Sequence, residues 1–262
     1  HFYLLVDKIT EFNIPSSINK KLTIKELNIS KEWSEILNNF NKNFYVASSW
    51  CKSDMNFARF LIFNHFPEID RFIYLDWDMI VLGDIYKLLP HFNNYDKIIV
   101  SSLQNNQTLF TGTFVEIFKI STNKEIISAT KDKYKHHPVY NIMRRFDISY
   151  EEMFKSQSFN AGFYIVSKNH FDSNFLKNLI NNLIDIQSNL KCFNFGTQII
   201  MNYLGKKNFQ FIEKSWNHLP QIENNDSVNI IHWNGLEKPW NKKNVPINKI
   251  WWKYYEKYKN LK

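Results

Sequence analysis

The stretch Arg71–Ile85, RFIYLDWDMIVLGDI, decides the fold. It sets Asp76 and Asp78 in apolar surroundings otherwise broken only by Arg71, Gly83 and Asp84. The run RFIYLD is too apolar to face water on either side, so it reads as a strand covered on both faces. A strand ending in Asp-x-Asp delivers carboxylates to the carboxyl edge of a sheet, where open α/β proteins bind their ligands. In an extended i, i+2 pair both side chains point the same way, so both carboxylates reach one cation. Left unpaired they would repel, and one would be pushed toward protonation. A divalent metal removes that conflict. The ordinary reading of an Asp-x-Asp is one aspartate capping a turn and the other solvated. The apolar flanks FIYL and MIVLG argue against it here.

Outward from this stretch, short strands alternate with helices. HFYLLVD and KLTIKELNI read as strands, and Glu32–Phe40 as a helix with Trp33, Ile36, Leu37 and Phe40 at helical spacing. Ser53 or Asp54 caps a helix over MNFARFLIFNHF that Pro67 closes. DIYKLLPHF reads as a short helix, KIIVSSL as a buried strand, and FNAGFYIVS as strand-like. HFDSNFLKNLINNLIDIQSNL and GTQIIMNYL follow as helices, NFQFIEKSW and VNIIHW as late strands. This order predicts an α/β domain with a mostly parallel, Rossmann-like central sheet flanked by helices. At 262 residues, one domain over 1–262 is expected, and the weakly patterned segment 104–157 reads as an insertion. In the last segment Ile247, Ile250, Trp251, Tyr254, Tyr255 and Tyr258 share a helical face. That predicts a terminal helix packed on the core, with a peripheral membrane contact as the alternative.

The composition is that of a folded globular chain, 44% hydrophobic and 22% charged. A formal charge of +8 points to an anionic partner without choosing among nucleotide phosphate, acidic glycan, nucleic acid and lipid. Cys51 and Cys192 lack Cys-x-x-Cys spacing and read as free thiols. No apolar run is long enough to span a bilayer, and the cytoplasm is the expected compartment.

A second cue lies in VNIIHWNGLEKPW, where a buried-looking strand ends in His232 before a loop with Gly235 and Lys238. An imidazole joining two carboxylates makes a mixed N/O site suited to manganese or a similar first-row ion. Gly235 allows backbone to approach a phosphate, and Lys238 supplies a point charge to it.

Taken in order, NFARF, RFIYLDWDMIVLGDI, FNAGFYIVS, TQIIMN and IIHWNGLEKPW resemble glycosyltransferase family 8 over nearly the whole chain. The resemblance implies the nucleotide-diphosphosugar transferase fold called GT-A. It implies retaining transfer of a hexose, glucose or galactose being expected, from a UDP-sugar to a glycan, glycolipid or protein acceptor. It also implies manganese, with magnesium as the alternative ion, and no nucleic-acid partner. Asp76, Asp78 and His232 match the family's metal ligands. Arg59, Asp76, Trp77, Asp78, Asn160, Ala161, Gly162, Gly235 and Lys238 match its donor-binding positions, and Gln198 a position on the reacting face. Two departures stand out. Thr197 replaces an aspartate that usually precedes this glutamine, which makes front-face attack assisted by the departing phosphate the expected route. FYLLVDKIT resembles the family's second strand, so the usual first strand and helix are expected to be missing.

Two other classes compete. A haloacid-dehalogenase-like phosphatase also uses a strand-end Asp-x-Asp, but a threonine or valine two places on is usual there, and Ile80 holds that place. A carbohydrate- or nucleic-acid-binding protein without transferase activity would use the same aromatics and positive charge.

Overall fold

The computed structural model describes residues 1–9, 20–42, 53–101, 143–145, 147–149, 151–152, 157–190, 197–204, 208–220, 227–235 and 237–260. Most of 104–157, the expected insertion, lies outside these residues, as do Cys51 and Cys192.

Strands β1 (Phe2–Val6) and β2 (Leu22–Glu26) pair in parallel. They lead into helix α1 (Lys31–Lys42), which buries Trp33, Leu37 and Phe40, one face of a 3.6-residue period. The expected helix over 55–66 is instead broken. Helix α2 (Asp54–Phe57), capped by the Ser53 side chain, passes into a 3₁₀ turn at Ala58–Phe60 and then α3 (Ile62–His65). Phe57, Phe60, Phe63 and Phe66 are all buried. A strict three-residue spacing drifts around an α-helix but stays on one face when the turn tightens to three residues.

The central sheet has the order β3-β6-β5-β7, with β3 Arg71–Leu75, β5 Ile98–Ser101, β6 Phe163–Ser167 and β7 Phe209–Ile212. Strand β6 runs antiparallel to both β3 and β5, while β5 and β7 are parallel. Three of the four strands therefore share one direction, and the reversed β6 between β3 and β5 makes the sheet mixed rather than mostly parallel in its pairings. Strands β4 (Met79–Val81) and β8 (Ile230–His232) form a separate antiparallel pair. Helix α4 (Leu89–Phe92) follows β4 after a 3₁₀ turn capped by Asp84.

Every residue of β5 and β6 is buried, and the strand period of two divides them between two cores. Tyr164, Val166, Ile98 and Val100 join α1, α5 (Ser173–Leu190) and α6 (Thr197–Leu204) on one side. Phe163, Ile165 and Ile99 join Leu88, Trp216 and Ile230 on the other. Burying each large apolar side chain contributes about 1.5–3 kcal/mol, which fixes the register of β6 against slippage. Asp172 starts α5 by accepting from the Phe175 backbone N–H at 2.8 Å.

The last helix, α7 (Asn248–Lys259), departs from expectation. Its first turn is seated: Asn248 accepts from the Trp233 indole N–H at 2.8 Å, and the Trp252 indole donates to the Pro239 carbonyl at 3.1 Å. Tyr254, Tyr255 and Tyr258 are exposed, so the helix is not packed on the core along its length. Trp251 and Tyr255 stack on each other, which satisfies the shared apolar face locally. Among the described residues, no helix is long and apolar enough to cross a membrane.

Candidate functional site

Asp76 and Asp78 do not continue strand β3. The strand ends at Leu75, one further rung joins the Asp76 N–H to the Gly162 carbonyl at 2.9 Å, and a turn over Trp77 and Asp78 leads into β4. Convergence of the two carboxylates thus comes from a turn rather than from extended alternation. The third group arrives through pairing of β4 with β8, in which Met79 faces His232 and the Trp233 N–H donates to the Asp78 carbonyl at 3.0 Å. A residue near the end of the chain is thereby fixed beside one in its first third.

His232 Nε2 lies 3.3 Å from Asp78 Oδ1 and 3.7 Å from Asp76 Oδ2. One ligand atom from each of the three residues falls within 4.8 Å of the others. A hard divalent ion bound octahedrally, with ligands about 2.0–2.6 Å away, spaces neighbouring ligand atoms roughly 3–3.7 Å apart. The donor set fits such an ion. Asp78 Oδ1 supplies an independent sign, because it is buried without a hydrogen-bond partner. An orphaned buried carboxylate oxygen is costly unless a cation completes it.

Each carboxylate is held on its far side. Asp76 Oδ1 accepts from the Tyr74 hydroxyl at 2.8 Å and from Arg59 Nη2 at 3.2 Å, leaving Oδ2 toward His232. Arg59 is buried, donates through Nη1 to the Ala161 carbonyl at 2.8 Å, and lies 4.6 Å over the Tyr74 ring. Burial opposes its charge, but Tyr74 and Asp76 outweigh that and raise its pKa above the ordinary value. Burial, with Asp76 adding to it, pushes the Tyr74 phenol well up, so it stays a donor. Asp78 Oδ2 is paired with the Lys238 ammonium, which also donates to the Trp233 carbonyl at 2.9 Å.

Gly162 explains how the imidazole comes so near the Asn160–Gly162 segment. A Cβ on Gly162 would lie 2.3 Å from His232 Cε1 and 2.9 Å from Asn160 Oδ1, so only glycine admits the ring there. Asn202 fixes this segment from α6: its Oδ1 accepts from the Phe159 N–H at 3.1 Å and its Nδ2 donates to the Phe159 carbonyl at 3.1 Å. Asn160 Nδ2 in turn donates to Gln198 Oε1 at 3.3 Å.

Arg59, Asp76, Asp78, Asn160, Ala161, Gly162, Gln198, His232 and Lys238 are therefore joined in one contact network. Trp77 points the other way, 78% exposed, with its ring 4.7 Å from that of Trp240 and 5.9 Å from the Lys238 nitrogen. Gly235 adopts φ +95° with open space where a Cβ would stand, so it serves the loop by its left-handed backbone. Three residues escaped the sequence reading. Tyr74 lies in the apolar run, where it reads as core. Asn56 receives the Thr197 hydroxyl at 3.0 Å, and Thr197 is buried. Asn217 Oδ1 lies 2.8 Å from His232 Nδ1, and nothing in KSWNHLP marks it beforehand.

This fold is that of the GT-A glycosyltransferases. The structure of the galactosyltransferase LgtC in complex with donor and acceptor sugar analogues is similar over 99% of this chain and 83% of that one, with TM-score 0.57 and 15% identity. An active-site mutant of LgtC aligns over the same shares, with TM-score 0.58 and 14% identity. No curated protein matches the chain by sequence. The model of glycosyl transferase family 8 matches residues 1–244, and the chain belongs to that family.

Proposed function

We propose that this glycosyltransferase moves a hexose, glucose or galactose, from a UDP-sugar to a glycan, glycolipid or protein acceptor with retention at the anomeric carbon. Asp76, Asp78 and His232 would hold manganese, or magnesium in its place. The observation that carries the reading is the convergence of these three groups, with the orphaned Asp78 Oδ1 among them, beside Lys238. The naming of LgtC as a galactosyltransferase favours a hexose.

When bound, a divalent ion supplies positive charge where the diphosphate oxygens gain negative charge in the transition state. Lys238 adds a point charge on the same side, and the left-handed backbone at Gly235 gives the loop close approach to the phosphates. Arg59 and Tyr74 orient Asp76, and the rigid Asn160–Gly162 segment with Gln198 lines the sugar side. Trp77 offers its exposed ring to the donor. The bond from anomeric carbon to diphosphate oxygen breaks as the acceptor hydroxyl oxygen bonds to that carbon. The acceptor's proton passes to the departing phosphate oxygen. Thr197 favours this route over a covalent glycosyl-enzyme, because its buried hydroxyl is committed to Asn56.

A panel of UDP-sugars incubated with and without manganese tests the proposal. At least one donor is expected to be cleaved, slowly by water or quickly with acceptor, only when the ion is present. Failure with every donor, together with salt-sensitive glycan or nucleic-acid binding that survives Asp78→Asn, would point to a binding protein instead.

A further inference from the structure

The hydrogen bonds behind His232 admit one direction only. A backbone N–H can donate but not accept, so the Gly162 N–H, 2.9 Å from the Asn160 side chain, fixes the amide oxygen of Asn160 toward itself. The carboxamide of Asn217 meets that same oxygen at 3.2 Å and the Asn160 carbonyl at 3.3 Å. Both are acceptors, so Asn217 must turn its NH₂ group to them. Its Oδ1 is then left facing His232 Nδ1 at 2.8 Å, and an amide oxygen accepts only. His232 Nδ1 therefore carries a hydrogen, and Nε2 is the nitrogen left toward Asp76 and Asp78. At the far end, Asn160 spends its own NH₂ group on Gln198 Oε1, which turns the Gln198 amide nitrogen away from Asn160.

We infer that Asn217 is a positioning residue, holding His232 in the Nδ1–H tautomer with Nε2 free for a divalent cation, and linking this ligand through Asn160 to Gln198. Burial makes the arrangement stringent: Asn217, His232 and Asn160 are all withdrawn from water, so a reversed amide would leave two oxygens opposed with no solvent to mediate. Backbone pairing makes it rigid, because His218, the next residue, bridges to Ile231 through bonds of 3.0 and 2.8 Å to β8. Asn217 thus enters the site on a third segment alongside β4 and β8. A ring nitrogen oriented by a fixed acceptor behind it is the arrangement that tunes histidine ligands in metal sites generally.

The inference rests on the reading of Asp76, Asp78 and His232 as metal ligands, and its test separates the two. Long-range proton–nitrogen spectra of metal-free, ¹⁵N-histidine-labelled protein, at a pH where the ring is neutral, report the tautomer of His232 without any variant. Nδ1–H is expected, and Nε2–H overturns the inference even if the enzyme is active. Manganese titration followed by electron paramagnetic resonance gives the second readout. Asn217→Ala is expected to weaken manganese about 10–100-fold and to release the tautomer preference. Asn217→Asp keeps an acceptor for Nδ1 but removes the donor to Asn160. It should retain the tautomer and most of the manganese affinity while lowering kcat. Unchanged manganese affinity in folded Asn217→Ala would overturn the inference. A wild-type protein with the Nδ1–H tautomer and no manganese binding would instead overturn the metal reading.

Discussion

The His232 imidazole lies against the α-carbon of Gly162, where a methyl group would come within 2.3 Å of ring carbon Cε1. The neighbouring contacts leave little room to yield, because Asn160 Oδ1 and the ring nitrogen Nδ1 crowd the same point at 2.9 and 2.8 Å. Gly162→Ala should therefore push the ring off its position. Overpacking a tight site costs about 1–3 kcal/mol, measurable by urea unfolding of the metal-free protein. Manganese affinity should fall with it, and a Gly162→Ala protein that binds manganese normally would show that the ring can shift at no cost to the site.

Thr197, the residue that departs from the pattern the sequence resembles, has a packing role in the structure. Its hydroxyl donates to Asn56 Oδ1, which Arg59 Nη2 also approaches at 3.4 Å. Thr197→Val removes the hydroxyl while Arg59 still serves the Asn56 oxygen. The stability cost expected is about 1 kcal/mol. Turnover should stay within roughly threefold of wild type, under the 1.4 kcal/mol of barrier that a tenfold change requires. A fall of several hundredfold would mean that the hydroxyl serves the reacting sugar directly.

These cases show where the sequence is informative. The strands and most helices were legible because burial leaves a pattern: the largely apolar, wholly buried β5 and β6, and the 3.6-residue stripe of α1. The ends of elements were less so. Phe57, Phe60, Phe63 and Phe66 read as one helical face, yet tertiary packing tightened the turns between them. The tyrosines of α7 read as a buried stripe, yet only the first turn has a partner surface among the described residues. Within the site, the charged groups were visible because charge in an apolar run is anomalous. Asn56 and Asn217 were not, since a neutral amide in a short helix or turn is unremarkable until two distant segments meet.

Trp77 tests a different relationship, between exposure and function. Its ring is 78% exposed, so Trp77→Ala should change folding stability by no more than about 0.5 kcal/mol. As a donor contact its loss should raise the KM for UDP-sugar several-fold at nearly constant kcat, the pattern of a binding interaction made equally in ground and transition states. Steady-state kinetics with varied donor decide the point. An effect confined to the KM of the acceptor would move Trp77 and its neighbour Trp240 to the acceptor side.

Lys238 offers the most discriminating case, because it should affect two observables in opposite directions. Its ammonium is paired with Asp78 Oδ2, so it neutralises part of the charge that a divalent ion would otherwise meet. Removing it leaves a mostly buried carboxylate without its ammonium partner, and a divalent cation bound there would supply the missing positive charge. Lys238→Ala should thus bind manganese at least as tightly as wild type in the absence of nucleotide. Turnover should nonetheless fall, on the order of 100-fold, because the departing diphosphate loses a point charge placed where negative charge develops. Manganese titration of the free protein and kcat with saturating donor measure the two effects separately. Parallel losses in both would mean that Lys238 supports the shape of the metal site and not the leaving group, since a residue that only stabilises the leaving group has no reason to help the free protein hold its ion.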